Sequence, residues 1–172
     1  VETTQQAPWL SEEELPTWLA LIGVLIKLPA ALDEQLQRDA GMNHFEHWAL
    51  MGLSRREGHS MRMSELAVLT NGSLSRLSQV ISRLEKRGYV RRAPDPTDGR
   101  CTLAILTEAG MNKLLDTTPG HVEEVRRLVF EPLTKAQARQ LREILHRIIR
   151  TIVPDLPDGE PDIRSFRSNG PC

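Results

Sequence analysis

Residues 63–110 constrain this chain more than any other stretch. They read MSELAVLTNGSLSRLSQVISRLEKRGYVRRAPDPTDGRCTLAILTEAG. Leu66, Ala67 and Leu69 form one short apolar face, and Thr70, Asn71 and Gly72 then break the period. Asn-Gly is a strong turn signal. Ser73 is a good N-cap, because its hydroxyl can accept from a free backbone N–H at the start of the next helix. In that helix Leu74, Leu77, Val80, Ile81 and Leu84 recur at three- and four-residue steps, so they share a buried face. The opposite face carries Ser75, Arg76, Gln79 and Arg83. After Gly88, a plausible C-cap, residues 89–92 and 101–106 read as strands joined by a loop that holds Pro94, Pro96 and Gly99. The pattern is helix, turn, helix, then a hairpin with a basic tip.

Charge follows the same division. The whole chain of 172 residues has a formal charge of −1. Residues 1–61 hold 4 Lys/Arg against 9 Asp/Glu, a net −5, whereas residues 62–102 hold 8 against 4, a net +4. Residues 103–172 balance at 10 against 10. Positive charge is therefore concentrated where a helix and hairpin would meet phosphates. A second helix with Arg, Gln and Ser on its exposed face suits a major groove, and a basic hairpin beside it suits a flanking minor groove.

The segment resembles the winged helix-turn-helix of the multiple antibiotic resistance regulator (MarR) family. The similarity runs through SELAVLTNGSLSRLSQVISRLEKRGYVRR, the wing DPTDGR and the exit LTEAG. These motifs cover about a quarter of the chain, and the helical flanks extend the likeness to roughly residues 15–153. The family wing shows Asp, a basic or variable residue, then Arg; here these are Asp98, Gly99 and Arg100, and Gly99 is the departure. The resemblance implies a mainly α fold with a small antiparallel β wing, the winged helix-turn-helix being flanked by terminal dimerisation helices. It also implies a homodimeric transcriptional regulator, most often a repressor, that binds double-stranded DNA at a pseudo-palindromic operator. A small aromatic or phenolic effector is expected between the dimer helices and the winged unit.

The flanks divide as residues 11–58 (a first helix for dimerisation and a second bracing the winged unit), 59–107 (the DNA-binding core), 108–153 (C-terminal dimerisation helices) and 154–172 (an irregular tail). Ser11 with Glu14, and Thr134 with Gln137, are capping-box patterns. Pro29 and Pro119-Gly120 should kink or split the helices that contain them. Residues 61–62 can add a third strand. Leu141, Ile144, Leu145, Ile148, Ile149 and Ile152 form a continuous stripe at helical period. An apolar stripe outside a small DNA-binding unit implies a partner.

The expected DNA contacts are Ser64, Ser73, Ser75, Arg76, Gln79, Arg83, Arg91, Asp98 and Arg100. Arg suits a guanine edge and Gln an adenine edge, whereas Ser64, Ser73 and Ser75 suit phosphate near helix starts. Arg100 suits a narrow minor groove, with Asp98 to orient it. Arg91 and Arg92 point to opposite sides of one strand, so one can reach phosphate. Trp18, His44, His47, Trp48 and Met51 are the expected effector-pocket residues.

His44 and His47, at i and i+3, could share a metal site with Glu46, Cys101 or His121, but this spacing is weak and no metal or other cofactor is assigned. The two cysteines, Cys101 and Cys172, suggest no disulfide framework. The apolar run over residues 18–26 is preceded by Glu12, Glu13 and Glu14 rather than basic residues, and is too short to span a bilayer. A cytoplasmic protein with no membrane contact is expected. No phosphate loop, nucleophile elbow or metalloprotease helix is present, so the chain is not read as an enzyme. A winged-helix module for protein contacts, without DNA binding, is the competing class; salt-dependent binding to duplex DNA separates the two.

Overall fold

The structure, a computed structural model, describes residues 9–153. The tail expected over residues 154–172 lies outside the described residues, as do the first eight. Helix α1 (Glu14–Ala40) leads into α2 (His44–Ser54), a short strand β1 (Ser60–Arg62), and helices α3 (Met63–Leu69) and α4 (Leu74–Lys86). Strands β2 (Val90–Pro94) and β3 (Thr102–Leu106) follow, then α5 (Glu108–Val125) and α6 (Lys135–Ile152). The fold is mainly helical with a three-stranded antiparallel sheet in the order β1-β3-β2. Register is set by Met61 opposite Ala104 and by Arg92 opposite Ala104 on the other side of β3.

The core lies where α2, α3 and α4 meet the sheet. Leu36, Leu50, Leu53, Leu66, Leu77, Ile81 and Leu84 have no measurable exposure. The apolar face of α4 is buried as its period predicts, except for Leu74, which is 49% exposed. It stands in the first turn, beyond the sheet's reach, and borders the cleft between α4 and the hairpin. Gly110 shows why the exit segment carries glycine. A β-carbon there would collide with the carbonyl of Tyr89, so α5 could not start so close to β2.

Caps begin the helices as side-chain chemistry dictates. Glu14 N donates to Ser11 Oγ at 3.1 Å and Ser11 N to Glu14 Oε2 at 2.8 Å. Thr134 and Gln137 form the same reciprocal pair before α6. Asn43 and Glu46 form a third box at α2 that the sequence reading did not single out. Thr107 Oγ1 accepts from Gly110 N at 3.0 Å. Each such cap is worth about 1 kcal/mol.

Two expectations are corrected. Neither Pro29 nor Pro119 interrupts its helix; both lie inside continuous helices. Each proline, and the residue four before it whose carbonyl loses its partner (Leu25 and Leu115), is exposed, so water can satisfy that carbonyl and the helix continues. The α5 axis continues past Val125 as a π-helical turn over Arg126–Phe130. Secondly, α1 is 27 residues long and, by length and composition alone, could cross a membrane; the helix runs well beyond the apolar stretch at residues 18–26. Most of its side chains are uncovered within one chain. Leu19, Val24, Leu25 and Ile26 are each more than half exposed, while its C-terminal end, at Leu32 and Leu36, is buried.

Candidate nucleic-acid interface

Helix α4 presents three lengthwise rows. With 100° per residue, Ser75 and Gln79 share an outward ridge, and both are exposed. Arg76 and Arg83 lie to one side of that ridge, towards α2. Ser78, Ser82 and Glu85 lie to the other, towards the hairpin. Ser73 starts the helix, its Oγ accepting from Arg76 N at 3.2 Å. Asn71 in the preceding turn has φ 49°, a left-handed conformation that Asn tolerates better than most residues.

The α2 side is tied by charge. Glu46 has a buried carboxylate whose Oε1 accepts from Arg83 Nε at 3.1 Å; its Oε2 lies 3.6 Å from Arg87 Nη1. Arg83 thus joins α4 to α2 beside the ridge, with its side chain still half exposed. Arg76 likewise turns aside, its guanidinium lying 4.6 Å from the centre of the Phe45 ring.

At the hairpin tip, Asp98 Oδ1 accepts from both Arg100 N at 3.2 Å and Arg100 Nε at 3.1 Å. Asp98 therefore orients Arg100, whose side chain remains 90% exposed. Hydrogen bonds from Arg100 hold the Asp98 carboxyl below its usual pKa. The hairpin root is locked separately. Asp95, buried, accepts from Thr97 Oγ1 at 2.7 Å and from Arg62 Nε at 2.6 Å. The Thr97 hydroxyl and amide, then Arg62, lower its pKa to about 2. Arg91 is exposed, whereas Arg92 turns towards α4. Ser64 and Arg100 face the same cleft between α4 and the hairpin. Cys101, at the hairpin, is buried.

The five residues expected to share one pocket do not do so. Trp18 lines a large apolar groove between α1 and α6, with Leu141, Leu145 and Ile148. His44 and Trp48 line a different cavity, of about 810 Å³, between α1, α2 and the start of α4. Asp33, Phe45, Asn71 and Arg76 complete its walls. Met51 borders a third space beside His121 and Phe130. His47 is fully buried, with both ring nitrogens unpartnered, and its ring centre lies 4.5 Å from that of His121. Burial, then the neighbouring His121 and His44, lower the His47 pKa to about 4. His44 Nε2 accepts from Trp48 Nε1 at 2.9 Å, and His121 Nδ1 meets Gln35 Oε1 at 3.1 Å. Among the described residues no group of three His, Cys, Asp or Glu could hold a metal ion.

An exposed polar ridge on the second helix of a helix-turn-helix, with a basic wing beside it, defines a winged-helix DNA-binding protein. The MarR family matches over residues 40–100. The fold is similar to Sco3205 of Streptomyces coelicolor, a MarR family transcriptional regulator solved in complex with DNA. The two are 42% identical, with a TM-score of 0.80, covering 86% of this chain and 96% of that one. AbsC of the same organism, another MarR family regulator, is 34% identical at a TM-score of 0.79, covering 86% of this chain and 99% of that one. The transcriptional repressor MprA of Escherichia coli is 29% identical over 119 residues, 69% of this chain and 67% of MprA. The chain belongs to the MarR family: it is a DNA-binding transcriptional regulator and not an enzyme.

Proposed function

We propose that this regulator is a cytoplasmic homodimeric repressor of a pseudo-palindromic operator, released by a small aromatic acid. The observation that carries the reading is the uncovered apolar groove between α1 and α6, about 970 Å³ in volume. A groove lined by Trp18, Leu25, Leu145 and Ile148 is costly in water, at about 25 cal/mol per Å² of apolar surface. A second copy covers it and sets two α4 helices about a two-fold axis, whose half-sites are then about 34 Å apart. Ser75 and Gln79 read the major groove. Ser64, Ser73 and Arg91 meet phosphate, and Arg100, oriented by Asp98, enters the flanking minor groove. The likeness to MprA, a transcriptional repressor, supports repression.

The α1–α2–α4 cavity supports the effector part of the reading. Aromatic walls at Phe45 and Trp48, with the Arg76 cation and the His44 ring, suit an aromatic carboxylate. Because Arg76 belongs to the recognition helix, an anion bound there acts on the DNA-reading element directly. Selection from a randomised duplex library should yield an inverted repeat, and sedimentation a dimer. Hydroxybenzoates should then raise the melting temperature and weaken operator binding together, since linkage requires different affinities for the two states. A monomer, or an unrepeated site at saturation, overturns the dimer reading. Hydroxybenzoates that raise the melting temperature without changing operator affinity overturn the effector reading.

A further inference from the structure

We propose that Arg92 fixes the distance between the recognition helix and the wing, and so determines how far apart along the duplex these two elements find their targets. The proposal rests on the reading of α4 and the wing as the two DNA-reading elements.

Strand β2 alternates, so that Val90 enters the core and Arg92 faces α4. Arg92 Nη2 donates to the Ser78 carbonyl at 2.8 Å, to Ser82 Oγ at 2.9 Å and to Ser78 Oγ at 3.4 Å. Its Nη1 lies 3.6 Å from Glu85 Oε2, and its backbone N donates to Glu85 Oε1 at 3.1 Å. Ser78, Ser82 and Glu85 stand at i, i+4 and i+7, a single row along α4. One wing residue therefore grips the length of one helix row.

The chemistry of this seam is directional. Apolar contacts slide with little change in energy, whereas a planar guanidinium bound to several acceptors is fixed in distance and angle. Nor does packing offer a substitute nearby. Beyond Arg92 the helix and wing diverge around a cleft of about 320 Å³, where Leu74 is 49% exposed. The Arg62–Asp95 pair holds the wing to β1 and not to α4. Arg100, at the wing tip, lies beyond this strut, so a shift at Arg92 moves the minor-groove residue relative to Ser75 and Gln79. Arg92 is a positioning residue; it need touch no base.

The test is selection from a randomised 40-bp duplex library with the full chain, its Arg92→Ala variant and its Ser82→Ala variant, followed by affinity measurements at several salt concentrations. The wild type should enrich a core and a flank at one offset. Arg92→Ala should keep the core preference but lose the fixed offset, with about tenfold weaker binding to the wild-type sequence. Its affinity for sequences carrying the core alone should keep the wild-type salt slope. Ser82→Ala, which removes one acceptor and no charge, should broaden the offset in the same direction; it decides the matter if Arg92→Ala does not fold. An unchanged offset in both variants overturns the proposal. So does a uniform loss across sequences with the salt slope reduced by about 0.9, the signature of a lost phosphate contact. A wild-type selection that yields no inverted repeat counts against the dimeric operator reading and leaves the offset test intact.

Discussion

Arg76 of the recognition helix stacks over Phe45 of α2, 4.6 Å from its ring centre. Gly72, in the turn before α4, leaves room for that ring: a β-carbon there would come within 2.7 Å of Phe45 Cζ. The turn, the aromatic ring and the arginine therefore form one unit, which joins the α1–α2–α4 cavity to the DNA-reading helix. Phe45→Leu keeps an apolar side chain but removes the quadrupole, and the cation–π share of its cost should be about 0.5–1 kcal/mol. A double-mutant cycle with Arg76→Ala, read by urea denaturation, should show a coupling of that size. Additive single effects would show that the stacking contributes nothing.

The stripe on α6 yields a sharper outcome. In the proposed dimer, replacing Ile148 and Ile149 together with Glu would put four carboxylates into one symmetric interface. The expected result is a folded monomer by sedimentation, with operator affinity lost by at least a hundredfold because both half-sites are no longer held together. A variant that remains dimeric removes the last helix from the interface.

His47 predicts an acid limit to stability. Its folded-state pKa is about 4, below the ordinary value near 6.5. The unfolded chain thus binds the proton more readily. The stability that comes from keeping this ring neutral is fully present above about pH 6.5 and falls away as pH drops towards about 4. His44 and His121 are shifted in the same direction, chiefly by burial. Melting temperature followed from pH 7.5 to 4.5 should decline, and His47→Met should decline less steeply. Parallel curves for the two proteins would remove His47 from the effect.

Wing and helix separate on different sequence variants. Arg100→Ala should weaken binding to many sequences, most at A-rich flanks, and lower the log–log salt slope by about 0.9 if its charge neutralises one phosphate. Gln79→Ala should act mainly at one base position per half-site, by about 1–3 kcal/mol. Both are read by anisotropy on single-base operator variants at fixed salt. An unchanged affinity and slope for Arg100→Ala would take the wing off the DNA.

The elements were legible because periodicity and caps speak locally. Ser73, Thr107 and the Thr134–Gln137 pair start their helices as their side chains predict. Pro29 and Pro119 misled, because a proline's effect depends on which way its orphaned carbonyl faces, a tertiary matter. Polarity placed Arg76, Gln79 and Arg83 on one outer face of α4. It could not say that Phe45 and Glu46 stand beside two of them. Trp18 and His44 belong to the same half of the chain and to different cavities, since 26 residues of mostly helix carry them apart. The tilted ring contact of His47 with His121 joins α2 to α5 across more than 70 residues, with no local pattern to announce it.

Helix α1 works as a lever arm. Its 27 residues span about 40 Å at 1.5 Å each. One end lies in the α1–α6 groove at Trp18 and the other is embedded beside the winged unit at Leu36. From Trp18 to Leu36, about 27 Å at 1.5 Å per residue, a tilt of about 5° pivoted at the groove would carry the far end through about 2.4 Å. That sweep is comparable to the reach of a hydrogen bond, enough to bring Gln79 into or out of register with a base edge. In the proposed dimer, a slight adjustment between two subunits would thereby be magnified on its way to the DNA.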